Sequence, residues 1–264
     1  MKTMLKAIWQ YRHFIISSIK NEFVARFSRS TLGGLWIIIQ PLTQVAIYAL
    51  ILSAVLSAKL PGIDNQYAYA IYLTAGMLAW SLFSEIISRC LDLFIAQGNL
   101  MKKMMFPKIT LPTIVIGSSL LNNIMLLLAI MVVFALLGHT PTLQMFWLPL
   151  LTIAIVILAV GLGLILGVLN VFIRDIGQVV PIILQVAFWF TPIVYPLSII
   201  PESYRHWLSF NPMYPIVKGY QDVLVYGSRP DLILILWMGG ISILLLVLGL
   251  FLFRRASSEM VDAL

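Results

Sequence analysis

The chain has 264 residues, 61% of them hydrophobic and 10% charged, and a mean hydropathy of +1.00. Soluble domains carry roughly 25% charged residues, so this composition excludes a soluble globular fold and requires an integral membrane protein. The net charge of +7 comes from basic residues set in blocks beside apolar runs, which reads as orientation in a bilayer and not as a nucleic-acid patch.

Residues 1–32 read as an interfacial arm. The first 30 residues mix charge with apolar residues and lack the compact apolar core of a cleavable signal peptide. From Leu5 to Phe27 the pattern predicts an amphipathic helix. Leu5, Ile8, Trp9, Ile16, Ile19, Phe23 and Phe27 recur at steps of one, three or four, and Lys6, Gln10, His13, Ser17 and Lys20 form the opposite stripe. Such a helix lies in the headgroup region or packs on a partner, and the two are compatible.

Residues 33–264 read as a transmembrane domain of six helical spans, each near the ~20 residues needed to cross the hydrocarbon. They are predicted at Leu35–Ala58, Tyr67–Ser88, Leu111–Leu137, Phe146–Ile173, Val179–Leu197 and Leu232–Phe253. Thirteen basic residues fall on one side of this arrangement: Lys2, Lys6, Arg12, Lys20, Arg26, Arg29, Arg89, Lys102, Lys103, Lys108, Arg174, Arg254 and Arg255. Four, Lys59, Arg205, Lys218 and Arg229, fall on the other. The excess predicts that both termini are cytoplasmic, as an even number of spans also requires.

Few polar residues interrupt the spans. Gln40, Gln44, Asn122, Asn123 and Asn170 are expected to face other helices rather than lipid, either packing there or lining a path. Gly161, Gly163 and Gly167 include a G-x-x-x-G that permits close helix approach. Glu85 and Arg89, four apart with Asp92 beyond, predict a local ion pair where the second span emerges. Cys90, the single cysteine, excludes an intramolecular disulfide.

Between the fifth and sixth spans the stretch from Phe188 to Gly227 is too apolar and aromatic for an ordinary exposed loop. Pro192, Pro196, Pro201, Pro212 and Pro215 prevent one continuous helix. Irregular backbone at membrane depth is tolerated only where protein buries it or water reaches it. The expectation is an all-α integral membrane protein with re-entrant extracytoplasmic segments here, forming a gate or a lining; the alternative is a loop lying on the headgroups.

There is no G-x-x-x-x-G-K-[ST] phosphate loop. His13, His139 and His206 show no metal-ligand spacing, and no catalytic centre is evident. Nor is there a clear internal repeat of the kind found in many secondary carriers.

Three stretches together resemble the ABC-2 type permeases: RFSRSTLGGLWIIIQP at Arg26–Pro41, NVFIRDI at Asn170–Ile176, and TPIVYP at Thr191–Pro196 followed by NPMYPIVKGYQDVLVYG at Asn211–Gly227. Their order and spacing extend the likeness over nearly the whole chain, and it is strongest with the branch exporting O-antigen, capsule and teichoic acid. The resemblance implies a homodimeric permease of the bacterial inner membrane that moves a lipid-linked polysaccharide, most of all O-antigen. Two copies of a separate ATPase subunit would hold ATP and Mg²⁺, leaving no cofactor on this chain and no enzymatic role. A permease for capsule, teichoic acid, drug or lipid is the alternative, and a membrane glycosyltransferase is the reading from another class.

On that resemblance the substrate conduit is expected to draw on Tyr48, Tyr69, Tyr72, Trp80, Phe188, Trp189 and Tyr195. An extracytoplasmic gate is expected to draw on Pro192, Pro196, Tyr204, Trp207, Asn211, Pro212, Tyr214 and Tyr220. Aromatic faces bind sugar rings weakly and repeatedly, which suits a polymer of variable length, although some of these residues would belong to the interfacial belt instead. Coupling to the ATPase is expected through Arg26, Arg29, Lys102, Lys103, Met104, Met105, Phe106, Pro107, Arg174 and Asp175. Anchoring of that surface to anionic membrane lipid is the competing reading.

Overall fold

A computed structural model describes residues 2–28, 31–36, 68–103, 106–136, 138–139, 142–197, 200–201, 210–257 and 259–260, with single positions 39, 43, 47, 203 and 208. Among them the regular structure is helical throughout. In chain order the helices are α1 Lys2–Gln10, α2 Arg12–Ser28, α3 Ala68–Ala96, α4 Gly98–Lys103, α5 Thr110–Leu136, α6 Leu148–Phe172, α7 Ile176–Trp189, α8 Tyr214–Leu224 and α9 Leu232–Ala256. Four described helices, α3, α5, α6 with its 3-10 lead-in from Leu143, and α9, are long and apolar enough to cross a membrane. They match the predicted second, third, fourth and sixth spans. Most of the predicted first span lies outside the described residues.

The fifth span differs from its prediction. The helix does not run from Val179 to Leu197; α7 covers 14 residues and stops at Trp189. At ~1.5 Å per residue it rises about 21 Å, short of the ~30 Å hydrocarbon thickness. Pro192 and Pro196 are the cause, since neither can donate to the helical ladder. Phe190 N–H instead reaches the Val186 carbonyl at 3.1 Å, Thr191 N–H reaches Phe188 at 3.2 Å, and the chain turns.

The arm also differs. α1 and α2 run end to end through Tyr11, whose N–H reaches the Ala7 carbonyl and whose carbonyl accepts from Ile15, both at 3.0 Å. The single predicted stripe does not hold along the arm. Ile15 is buried, while Trp9 and Ile16 face outward at 71% and 62% exposure. Packing against protein explains the difference: Gly117 of α5 leaves a hole occupied by the Ile19 side chain. This choice of inward face is invisible to a periodicity that counts all apolar residues alike.

α3 is the centre of the bundle, buried along most of its length by α5, α6, α7 and α8. It runs two turns beyond the predicted Ser88. α6 is wedged between α3 and α9, and its glycines face both ways. A Cβ at Gly163 would lie 2.8 Å from Cys90 Cβ, and one at Gly167 would collide with the Cys90 carbonyl. On the opposite side a Cβ at Gly161 would lie 2.6 Å from Leu246 N, and one at Gly249 would lie 2.7 Å from the Gly161 carbonyl. Close backbone approach replaces the hydrophobic driving force that lipid cannot supply.

Asp231 caps α9, accepting from the N–H groups of Ile233 at 3.2 Å and Leu234 at 3.3 Å, a bond type worth ~1 kcal/mol. The C-terminal ends of α3 and α9, the start of α5, α1, α4 and the 173–175 turn lie at one end of the bundle. Lys108 joins that end directly, donating to the Ser257 carbonyl. Residues 190–197, Asn211 and α8 lie at the other.

The glycine seams predict an ordered response to bulk. Gly161→Leu should cost more than the ~1–3 kcal/mol typical of overpacking, because the nearest atoms are backbone. Gly240→Leu, with nothing within 4 Å, should be tolerated. Thermal melts of the detergent-solubilised protein by size-exclusion fluorescence will compare the two.

Candidate functional site

The segment that follows α7 carries carbonyls that its prolines and turns leave without a helical partner. A set of side chains from α3 and α8 meets them. Tyr72 of α3 brings its hydroxyl within 3.2 Å of the Pro192 carbonyl and 3.4 Å of that of Tyr195. Gln221 of α8 donates Nε2 to the same Pro192 carbonyl at 3.0 Å. Tyr69, one turn above Tyr72, donates to the Val194 carbonyl, and the two rings stack at 6.3 Å. Tyr195 folds back, donating its hydroxyl to the Trp189 carbonyl at 2.6 Å.

Asn211 closes the far side. Its Nδ2 donates to Thr191 Oγ1 at 2.8 Å and reaches the Phe190 carbonyl at 3.3 Å, while its Oδ1 accepts from Met213 N–H at 3.0 Å at the entrance to α8. α8 is almost wholly buried. Tyr220, at 1% exposure, pairs its hydroxyl with Thr152 of α6 at 2.7 Å, and His139 Nε2 lies 2.6 Å from the Leu224 carbonyl at the helix end. The side-chain bonds to the broken segment give its backbone groups the partners that lipid cannot supply.

The expected conduit and gate residues therefore fall into distinct settings. Tyr69, Tyr72, Tyr214 and Tyr220 are buried within the chain, and so is Trp80, which packs against Phe83 at 5.4 Å and edge-on to Phe188 at 5.7 Å. Pro192 is buried; Pro196, Tyr195, Phe188, Asn211 and Pro212 are half-buried. Trp189 is exposed at 56%, beside Phe190 at 68%. Tyr48, Tyr204 and Trp207 lie outside the described residues. Gln221, Thr191 and Thr152 do not stand out in the sequence, although a glutamine in an apolar helix is the kind of residue that carries such a bond. His139 shows there only the lack of a metal-ligand pattern.

At the opposite end a second polar cluster joins the arm to the bundle. Arg89 of α3 forms an ion pair with Glu22 of α2 at 2.6 Å and with Glu85 at 3.6 Å, and donates to Ser118 at 2.7 Å and Ser119 at 3.3 Å of α5. Glu85 accepts from Ser119 at 3.2 Å and from Asn122 Nδ2 at 3.0 Å. The expected local pair exists, but α3 continues past it and three helices share it. Asn123 donates to the Leu78 carbonyl at 3.1 Å and Asn170 to that of Leu91 at 3.0 Å, so both face other helices.

Of the expected coupling residues, Lys102, Arg174 and Asp175 are exposed. Phe106 and Pro107 are half-buried, the Phe106 ring lying 6.3 Å from that of Phe14 on the arm. Arg29, Met104 and Met105 lie outside the described residues, and so do the side chains of Arg26 and Lys103. Among the described residues no group of His, Cys, Asp and Glu could hold a metal ion.

Long apolar helices around a proline-broken segment, its carbonyls met by side chains from within, define a multi-pass helical membrane protein. The chain belongs to the ABC-2 type transporter family, whose model matches residues 14–225. It is 30% identical over 246 residues to the O-antigen export system permease protein RfbA of Klebsiella pneumoniae, covering 92% of each chain. It is 27% identical to the protein of that name from Myxococcus xanthus, covering 100% of both. Similarity extends at 24% identity to the polysialic acid transport protein KpsM of Escherichia coli, over 92% of this chain and 93% of that one.

Two substitutions read out the bonds to the proline-broken segment. Tyr72→Phe and Gln221→Leu should each cost ~0.5–1.5 kcal/mol. Together they should cost more than their sum, because Pro192 then loses both donors. At the other end Arg89→Gln should cost ~1–3 kcal/mol by leaving Glu85 without its cation, and Glu22→Gln less than ~1 kcal/mol, as for an exposed pair. Thermal denaturation of the purified variants will give both orderings.

Proposed function

We propose that this chain is the membrane permease of an ABC exporter that carries a lipid-linked polysaccharide, O-antigen foremost, out across the bacterial inner membrane. It is a transport subunit, not an enzyme, and ATP hydrolysis belongs to a separate ATPase that the family implies. The observation carrying this reading is similarity along the whole length to O-antigen export permeases. The likeness to a polysialic acid transporter keeps capsular polysaccharide as the second substrate class.

In this reading both termini are cytoplasmic, and two copies of the chain, with two of the ATPase, enclose the path. The outward face of α7 supports pairing: Val179, Ile182, Ile183, Val186 and Trp189 are each about half exposed or more, on a helix too short to span lipid alone. The conduit lining then falls to Trp189 and Tyr195, joined by Tyr48, Tyr204 and Trp207. Tyr69, Tyr72 and Tyr220 act at one remove by holding the gate segment around Pro192, Pro196 and Asn211. The ATPase engages Lys102, Lys103, Met104, Met105, Arg174 and Asp175, while Phe106 ties that surface to the arm.

A strain lacking the gene should lose surface polysaccharide and accumulate the lipid-linked glycan inside. Restoring the wild-type gene should reverse both effects. Trp189→Ala and Tyr195→Ala should reduce surface polysaccharide at least several-fold at unchanged permease level and ATPase association. Trp237→Ala, on the outward face of α9, should export normally. Immunoblots of surface glycan with quantified permease will check this, and normal export by both the Trp189 and Tyr195 variants would remove these aromatics from the path.

A further inference from the structure

Two cavities at the arm end of the bundle meet at Ile109 and form one amphipathic groove. The deeper part, about 200 Å³, is lined almost wholly by apolar groups of α1, α5, α6 and α9, among them Ile8, Ile116, Val160 and Leu250. Its one hydroxyl residue, Thr113, turns its Oγ1 to the Ile109 carbonyl at 2.9 Å and leaves the wall greasy. The outer part, about 320 Å³, is walled by Met4 and Ala7 of α1, by Pro107 to Ile109, and by Phe253, Arg254 and Ser257.

The lining is continuous along each helix. Along α9 and its C-cap it passes through Leu246, Leu250, Phe253, Arg254 and Ser257, along α5 and the residue before it through Ile109, Pro112, Thr113 and Ile116, and on α1 through Met4, Ala7 and Ile8. These are the three- and four-residue steps of single helical faces. From Leu246 to Ser257 the groove follows α9 for ~16 Å, the length of about a dozen methylenes. Among the described residues its mouth carries two cations, Lys108 and Arg254, and no carboxylate. The bond from Lys108 to the Ser257 carbonyl fixes that ammonium at the rim.

We propose that this groove is a binding site for one anionic phospholipid, its phosphate between Lys108 and Arg254 and one acyl chain running inward between α5, α6 and α9. Charge complementarity selects the occupant. A zwitterionic lipid brings a cation to a mouth that already holds two, whereas an anionic headgroup such as phosphatidylglycerol, with only hydroxyls beyond its phosphate, brings none. Because α1 forms one wall, the lipid also ties the arm to the membrane domain, a role separate from the transported substrate.

Native mass spectrometry of the delipidated full-length protein, titrated with dioleoyl phosphatidylglycerol or dioleoyl phosphatidylcholine, tests the site. One tightly held phosphatidylglycerol per chain is expected, with at least ten-fold preference over phosphatidylcholine. Arg254→Gln should weaken it about five-fold and Lys108→Gln similarly, the factor given by ~1 kcal/mol per basic residue at an anionic surface. Val160→Trp, filling the inner groove, should displace the lipid while both cations remain. Because Lys108 also caps α9, Arg254→Gln and Val160→Trp decide the matter if Lys108→Gln does not fold. Equal binding of the two lipids, or a phosphatidylglycerol preference that survives both deciding variants, overturns the proposal. Stronger capture of undecaprenyl phosphate than of phosphatidylglycerol would give the groove to the lipid anchor of a substrate and overturn it equally.

Discussion

Everything at the Pro192 end of the bundle depends on one electrostatic constraint: a proline-broken chain leaves backbone carbonyls without helical donors, and inside the protein they still need partners. Pro192 and Pro196 end α7 early and open the chain into turns. The carbonyls of Pro192, Val194 and Tyr195 are then met by Tyr69, Tyr72 and Gln221. This requirement explains why α3 carries tyrosines at its first turns, where aliphatic residues would pack equally well. It also explains why α8 is buried although it holds a glutamine: a short helix with a donor on its inner face satisfies the segment that lies against it.

The same constraint makes α3 the link between two polar clusters. Its first turns hold the segment around Pro192, and its later turns hold the arm through Arg89 and Glu22. From Tyr72 to Arg89 is ~25 Å along one continuous helix. Close by, the Gly163 and Gly167 seam against Cys90 leaves no room for side chains to accommodate sliding. One continuous helix therefore joins the segment around Pro192 to the arm. The charged cluster at its far end is held by Ser118, Ser119 and Asn122, which leave neither Arg89 nor Glu85 without a polar partner.

Aromatic residues divide by what their polar ends need. Tyr69, Tyr72 and Tyr220 bury their rings and give their hydroxyls to fixed acceptors, and Trp80 packs among other rings. Trp189, Phe190 and Trp237 turn outward. A conduit built for repeating sugars calls for exposed faces, and a belt at the bilayer surface calls for the same exposure. Their places in the fold differ: Trp189 adjoins the proline-broken segment, whereas Trp237 lies on the outward face of α9.

Composition alone determined the class, because a chain with so few charges has no soluble solution. Hydropathy and length located α3, α5, α6 and α9 to within a few residues except at the end of α3, where Glu85, Arg89 and Asp92 suggested an exit that the helix ignores. Prolines marked the broken segment, and its motifs carried the family likeness. The sequence could not say which apolar residues of the arm face inward, since Gly117 makes the hole for Ile19 from far along the chain. Nor could it pair Tyr72 with Pro192, Gln221 with the same carbonyl, or Glu22 with Arg89. Periodicity along one helix reports that a face is apolar or polar, but not what lies opposite. Those partners are set by long-range packing, and only the tertiary structure brings a carbonyl freed by proline to the hydroxyl of a tyrosine 120 residues before it.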